Sequence, residues 1–294
     1  MEKKNNIESF HEGYKKALKS GYLLENFRLF HLRDNQITEL DYHYHDFSKI
    51  VILLSGKVTY MIEGKAYTLN PWDILLVNRY DIHKPVVDNS QVYERIVIWV
   101  KNEYLESMSS EISDLLFCFE QTKLKEFNLI SISGKQREKL QALIMDLEEA
   151  GFSHEFGRDI LSENIFLQLM VYINRNSLDS DEKKSCKQVK YDKQILEIID
   201  YINNNLESDL TNESLAERFY LSKYYLMHKF KSETGYTLHN YIVQKRLIRA
   251  VELIKSGVPV IKATENSGFN DYTSFLRAYK KRYNSSPKDI IKAP

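Results

Sequence analysis

Two stretches near the carboxyl end repeat one pattern at a fixed separation of 49 residues, from 222 to 271 and from 230 to 279. Ser222, Leu226, Phe230, Lys231 and Gly235 correspond to Asp271, Phe275, Tyr279, Lys280 and Asn284. The first residue of each set is a good helix N-cap, because its side-chain oxygen accepts from an amide of the first turn. The last tolerates the left-handed conformation in which helices commonly end. Between them, apolar side chains four apart turn one face of each helix into a core. The repeat predicts two capped helices of one design, spaced as two major grooves of one DNA duplex require.

The charge distribution agrees. Basic and acidic residues balance at 41 each over the 294 residues, yet from Arg218 to the end they number 15 against 5. A local surplus of that size suits a phosphate backbone, with a Lys-rich solvated surface as the alternative. The other composition data exclude more than they assign. No apolar run is long enough for a membrane span, and MEKKNNIESFHEG lacks the apolar stretch of an export signal, which predicts a cytoplasmic protein. Cys118 and Cys186 have no metal-ligand spacing and imply no disulfide framework.

Periodicity divides the chain. From about 23 to 100, KIVILL, KVTYMIE, DILLVN and RIVIWV read as short strands separated by turn signals at Ser55-Gly56, Glu63-Gly64 and Asn70-Pro71. Their number and spacing predict an antiparallel barrel or sandwich. From about 103 to 175 apolar residues recur at helical spacing, among them Leu140, Leu143, Ile144 and Leu147. Residues 177–190 are polar and aperiodic and read as a linker, so the expected domains are 1–176 and 191–294.

In the second domain Leu215, Ala216 and Phe219 share one face of a short helix opened by Thr211, and a tight turn through Tyr220 and Leu221 leads to Ser222. That is a helix-turn-helix arrangement. With Leu226 and Phe230 inward, Tyr224, Met227 and His228 are placed to reach base edges, and Lys231 lies on the flank. In the second copy Tyr272, Thr273, Leu276 and Arg277 face outward. Arg277 suits bidentate contact with guanine, whereas Lys280, Lys281 and Arg282 suit phosphate. A helix through Leu247, Val251 and Ile254 ties the copies together, with Arg246 either in a structural pairing or on phosphate.

This half resembles the DNA-binding domain of the AraC/XylS family of transcription regulators. The resemblance rests on Ala216, Ser222, Leu226, Phe230-Lys231, Gly235, Tyr241, Arg246, Ala250, Gly268-Phe269, Phe275, Tyr279-Lys280 and Pro287. It departs from the family where Ala263-Thr264 and Ser267 stand in place of the usual Ile-Ala and Val, which removes apolar character from the second copy, and where Asn284 replaces Gly. The resemblance implies an all-α domain of two helix-turn-helix units that bind double-stranded operator DNA. It also implies a homodimer formed through the helices after the barrel, with Leu140, Leu143, Ile144 and Leu147 as the face to test and a cover for the barrel as the alternative, a small-molecule effector such as a sugar or other polar metabolite, and RNA polymerase as a further partner.

In the first half His43 and His45, then Gly56, Pro71 and His83, follow a spacing that resembles a cupin barrel, the usual sensor fold of that family. Three histidines suit a divalent metal, an effector, or a purely structural role. Lys49 stands where metal-binding cupins commonly carry Glu, and a cation there repels a metal and attracts an anionic or hydroxylated ligand. The expectation is therefore effector contact by His43, His45, Lys49, His83 and Arg95, with no metal, no cofactor and no catalytic residue. Trp72, Trp99, Tyr60 and Tyr93 are further candidates for the barrel lining. Two rival readings are a cupin-type metal-dependent enzyme and a constitutive DNA-binding protein whose barrel only dimerises.

Overall fold

The computed structural model describes residues 23, 25–36, 42–124, 128–179, 192–283 and 286–287. Asn284, Cys186, most of the segment read as a linker, and the N-terminal stretch lie outside them. The chain divides into two compact units, the second running from Val189 to Pro294 and taking in Glu63–Ala66.

The first unit holds two antiparallel sheets. One has the order β1 (Phe27–Asp34), β7 (Tyr93–Val100), β2 (Ser48–Ser55), β5 (Ile74–Val77), β8 (Leu129–Ile130). The other has the order β4 (Lys65–Thr68), β3 (Val58–Ile62), β6 (His83–Val87). Central strands β2 and β7 are buried on both faces, which is why their sequences are continuously apolar rather than alternating. One face, carrying Ile50, Ile52, Ile96 and Ile98, packs on helices. The opposite face carries Val51, Leu53 and Leu75, and meets Val58, Tyr60 and Tyr67 of the smaller sheet. Alternation then places Lys49 and Arg95 on this inner face, with Lys49 paired in register to Trp99 and Val77.

The helices are α1 (Asn102–Met108), α2 (Phe117–Leu124), α3 (Gly134–Phe152) and α4 (Arg158–Asp179). Leu140, Leu143, Ile144 and Leu147 of α3 are buried with Phe166, Leu169 and Ile173 of α4 in the core under the first sheet. Helix α4 runs through Asp179, past the expected linker start at 177. Asn176 and Ser177 are buried and return hydrogen bonds to the carbonyls of Tyr172 and Asn174, so polar side chains continue the helix instead of ending it.

The second unit is helical: α5 (Lys193–Asn204), α6 (Asn212–Arg218), α7 (Lys223–Thr234), α8 (Leu238–Lys255), α9 (Val260–Glu265) and α10 (Tyr272–Tyr283). Leu247, Val251 and Ile254 of α8 pack with Ala263, Phe275 and Tyr279. Ala263, Thr264 and Ser267 are all buried, and the two hydroxyls donate to the carbonyls of Val260 and Thr264 at 2.8 Å. The polar residues at 264 and 267 therefore sit in the core of the second copy without leaving a buried hydroxyl unmatched.

Candidate functional site

The first reading helix, α7, begins at Ser222, whose hydroxyl accepts from the Tyr225 amide, and ends at Gly235 with φ of 76°. The turn before it is made by Tyr220, a non-glycine residue at φ 55° that is 96% exposed. Leu226 and Phe230 are fully buried, which fixes the helix rotation and leaves Tyr224, Met227, His228 and Lys231 exposed. The Tyr224 and His228 rings stack at 6.2 Å, one turn apart. Asn212 of α6 donates to the Met227 sulfur at 3.5 Å. Lys223 is engaged by Glu213, and Lys229 bridges Asp192 and Glu233 at 3.1 and 3.2 Å. Sequence spacing did not disclose these commitments of two α7 lysines.

The second reading helix, α10, is capped by Asp271, which accepts from the Ser274 amide and hydroxyl at 2.8 Å each. The amide bond, then the hydroxyl bond, holds the Asp271 carboxyl below its usual pKa, so it stays ionised at the helix N-terminus. Phe275 and Tyr279 are buried, while Tyr272, Thr273, Arg277, Lys280 and Lys281 are exposed. Leu276 is half-buried and offers only part of its side chain.

Arg246 settles between its two readings. Its Nε donates to the Leu206 carbonyl and its terminal amine to the Ser208 carbonyl, both at 2.9 Å. It ties α8 to the loop after α5, and its partners are backbone oxygens, where an ion pair was the structural expectation. Gly268 completes the same contact. At φ +85° a Cβ there would stand 1.9 Å from the Leu206 oxygen.

In the first unit His43, His45 and His83 converge. His43 and His83 exchange backbone hydrogen bonds at 3.0 and 2.9 Å, and the three ring centroids lie 4.5–5.2 Å apart. His43 makes an isolated bridge to His83, which opens β6. His83 donates from Nδ1 to the Asp81 carbonyl at 2.8 Å. Burial, then the neighbouring His43 and Lys49, hold its pKa well below the usual histidine value. Phe47 stacks on His45 at 4.6 Å, and Trp99 lies 5.8 Å from it.

Lys49 is 1% exposed, with its ammonium 5.7 Å from the Tyr60 ring. Burial and then Arg95 lower its pKa to about 7, so the full cation assumed from sequence is only part of its population at neutral pH. Arg95 lies over the Tyr93 ring at 4.2 Å and pairs with Asp34 at 2.6 Å. Asp34 was not foreseen; only the register of β1 on β7 brings it there. Tyr60 and Tyr93 share a hydrogen bond at 3.2 Å inside the sheets. Trp72 does not line this interior, since it packs with the helix-side cluster beneath Arg137.

Comparison with known proteins matches residues 27–170 to the AraC-like ligand binding domain and residues 215–293 to a helix-turn-helix domain. The chain belongs to the AraC family. It is a DNA-binding transcription regulator with an N-terminal ligand-binding domain. It is 26% identical over 250 residues to the HTH-type transcriptional activator RhaS of Salmonella schwarzengrund, covering 84% of this chain and 86% of that one. It is 24% identical over 252 residues to RhaS of Mannheimia succiniciproducens, covering 84% and 88%. Among solved structures, ToxT from Vibrio cholerae O395 is similar at 14% identity over 90% of this chain and 97% of that one, with a TM-score of 0.35. The C-terminal domain of AraT from Geobacillus stearothermophilus is similar at 28% identity over 35% and 87%, with a TM-score of 0.34. No helix among the described residues is long and apolar enough to cross a membrane.

Proposed function

We propose that this family member is a cytoplasmic transcription activator, not an enzyme, whose barrel takes up a small polar effector and whose paired reading helices then engage an operator beside RNA polymerase. The observation that carries the reading is the pair of capped helices, each with its apolar face buried and its polar face exposed. The activator assignment follows the relatives' names. His43, His45, Lys49, His83 and Arg95 remain the proposed effector contacts, because basic groups and convergent imidazoles share one interior. An effector acts only through its differential affinity for the two presentations of the DNA-binding unit.

A homodimer is part of the proposal, but its surface moves. Leu140, Leu143, Ile144 and Leu147 are spent on the unit's own core. On α4, Leu161, Asn164, Gln168, Val171, Arg175 and Leu178 are all exposed at alternating three- and four-residue spacing. That is the spacing of a coiled-coil seam, and a polar residue such as Asn164 within a seam sets register and strand number. A groove of about 510 Å³ between α3 and α4 runs along it, lined by Asn164, Gln168, Val171 and Arg175 among others.

The test is selection of bound genomic fragments with the full chain, repeated with Arg277→Ala. The substitution should cost about 1–3 kcal/mol on the best site and relax preference at one base pair. Equal weakening on every sequence would remove Arg277 from base readout.

A further inference from the structure

The three histidines were read as effector contacts, yet their arrangement makes a narrower statement. One ring nitrogen from each of His43, His45 and His83 lies within 4.8 Å of the others, with His45 and His83 buried and His43 half-buried. Atoms bound about 2.0–2.1 Å from one tetrahedral ion sit roughly 3.3 Å apart, so modest ring rotations would bring all three onto one centre.

The orientation of His83 supplies an independent observation. Its Nδ1–H is committed to the Asp81 carbonyl, which assigns the proton to that nitrogen and leaves a lone pair on Nε2. That Nε2 is buried and has no hydrogen-bond partner among the described residues. A ring held by a backbone carbonyl on one side, with its other nitrogen buried in a cluster of imidazoles, is how proteins orient a metal-ligating histidine. An acceptor left bare in an interior costs free energy that a bound cation would recover.

We propose that His43, His45 and His83 bind a first-row divalent cation of the zinc, cobalt or nickel class, with a fourth coordination position open. Three nitrogen donors without a carboxylate select these borderline ions over magnesium or calcium. Lys49 disfavours a bare dication on electrostatic grounds, and it suits an anionic group in the fourth position. The site does not depend on the DNA-binding reading, and failure of one leaves the other standing.

The experiment is cobalt titration of the untagged full chain, stripped with a chelator and carrying Trp72→Phe, so that Trp99 is the remaining tryptophan beside His45. One equivalent of cobalt should bind, give the intense visible bands of a four-coordinate site, quench Trp99 emission, and be displaced by zinc. His83→Gln and His45→Ala should each weaken binding at least about tenfold, with the circular dichroism unchanged. Absence of saturable uptake overturns the proposal, as does uptake that survives both substitutions together. If either variant fails to fold, quenching in the chain with all three histidines decides, because cobalt bound without quenching Trp99 occupies another site.

Discussion

Replacing Gly268 with alanine tests the contact that holds the second helix-turn-helix unit on α8. Two costs combine there. At φ +85° an L-residue loses about 1–2 kcal/mol from its clash with the following carbonyl. The new Cβ would also stand 1.9 Å from the Leu206 oxygen and 2.8 Å from the Arg246 Nε, so the chain must part by more than an ångström. That separation breaks the 2.9 Å bond from Arg246 to Leu206, a charge-assisted bond worth about 1.5–3 kcal/mol. The expected destabilisation is about 2.5–5 kcal/mol. Gly257 is the control, since it has φ +91° and nothing within 4 Å of its would-be Cβ. Gly257→Ala should therefore cost only the conformational part, about 1–2 kcal/mol.

The assay is thermal unfolding of the full chain followed by far-ultraviolet circular dichroism. The two tryptophans, Trp72 and Trp99, both lie in the first unit and give it a separate reading by fluorescence. For a domain of about 100 residues each kcal/mol moves the midpoint by roughly 4–8 °C. Gly268→Ala should move the helical transition by more than about 10 °C, against roughly 4–16 °C for Gly257→Ala, and should abolish operator binding. Equal shifts for the two glycines would refute the close approach at Leu206 and the anchoring role of Arg246.

Tyr220→Gly should stabilise the second unit by about 0.5–1 kcal/mol in the same assay, because an exposed aromatic residue at φ 55° has little packing to lose; destabilisation would show that its ring is held. Lys281→Ala should lower the slope of log affinity against log salt by about one, while Lys223→Ala, already engaged by Glu213, should change it far less. His31 joins β1 to Glu148 of α3 at 2.7 Å and to Glu94 at 3.0 Å. Burial alone lowers its pKa, but the hydrogen bonds and charges of Glu148 and then Glu94 outweigh burial and raise it above 6.5. A raised histidine stabilises fully below its unfolded value and loses that contribution as pH rises through the folded one. The stability gap between the parent chain and His31→Gln, read by tryptophan fluorescence, should therefore narrow as pH rises from 5.5 through neutrality, and a gap constant with pH would contradict the clamp.

What could be read in advance follows from how local each signal is. The caps at Ser222 and Asp271, the αL end at Gly235 and the inward Leu226, Phe230, Phe275 and Tyr279 depend on neighbours within one turn, and each stands where periodicity put it. Strand β6 escaped notice because Pro85 interrupts it; the strand is tolerated there since it lies at the edge of its sheet. Trp72 was placed in the barrel because aromatic residues in β segments suggest lining, but facing is set by sheet register, which a single sequence does not display. The same holds for Arg95, whose partner Asp34 is 61 residues away and adjacent only through β1 and β7. Leu140 to Leu147 had the periodicity of an interface, and periodicity alone does not distinguish a helix face turned to its own sheet from one turned to a second copy.

The two reading helices differ in what their charges are free to do. On α7 the early lysine is spent on Glu213 and the middle one on Asp192 and Glu233, so the helix offers a stacked Tyr224–His228 pair and Met227 with Lys231 beyond them. Stacked rings and a thioether meet base edges and thymine methyl groups by contact, with little dependence on salt. On α10 Arg277, Lys280 and Lys281 stand exposed together, and charges so placed supply counterion release as well as guanine recognition. One fold, repeated at 49 residues, thus presents two different chemistries: exposed cations on the second copy, and stacked rings with a thioether on the first.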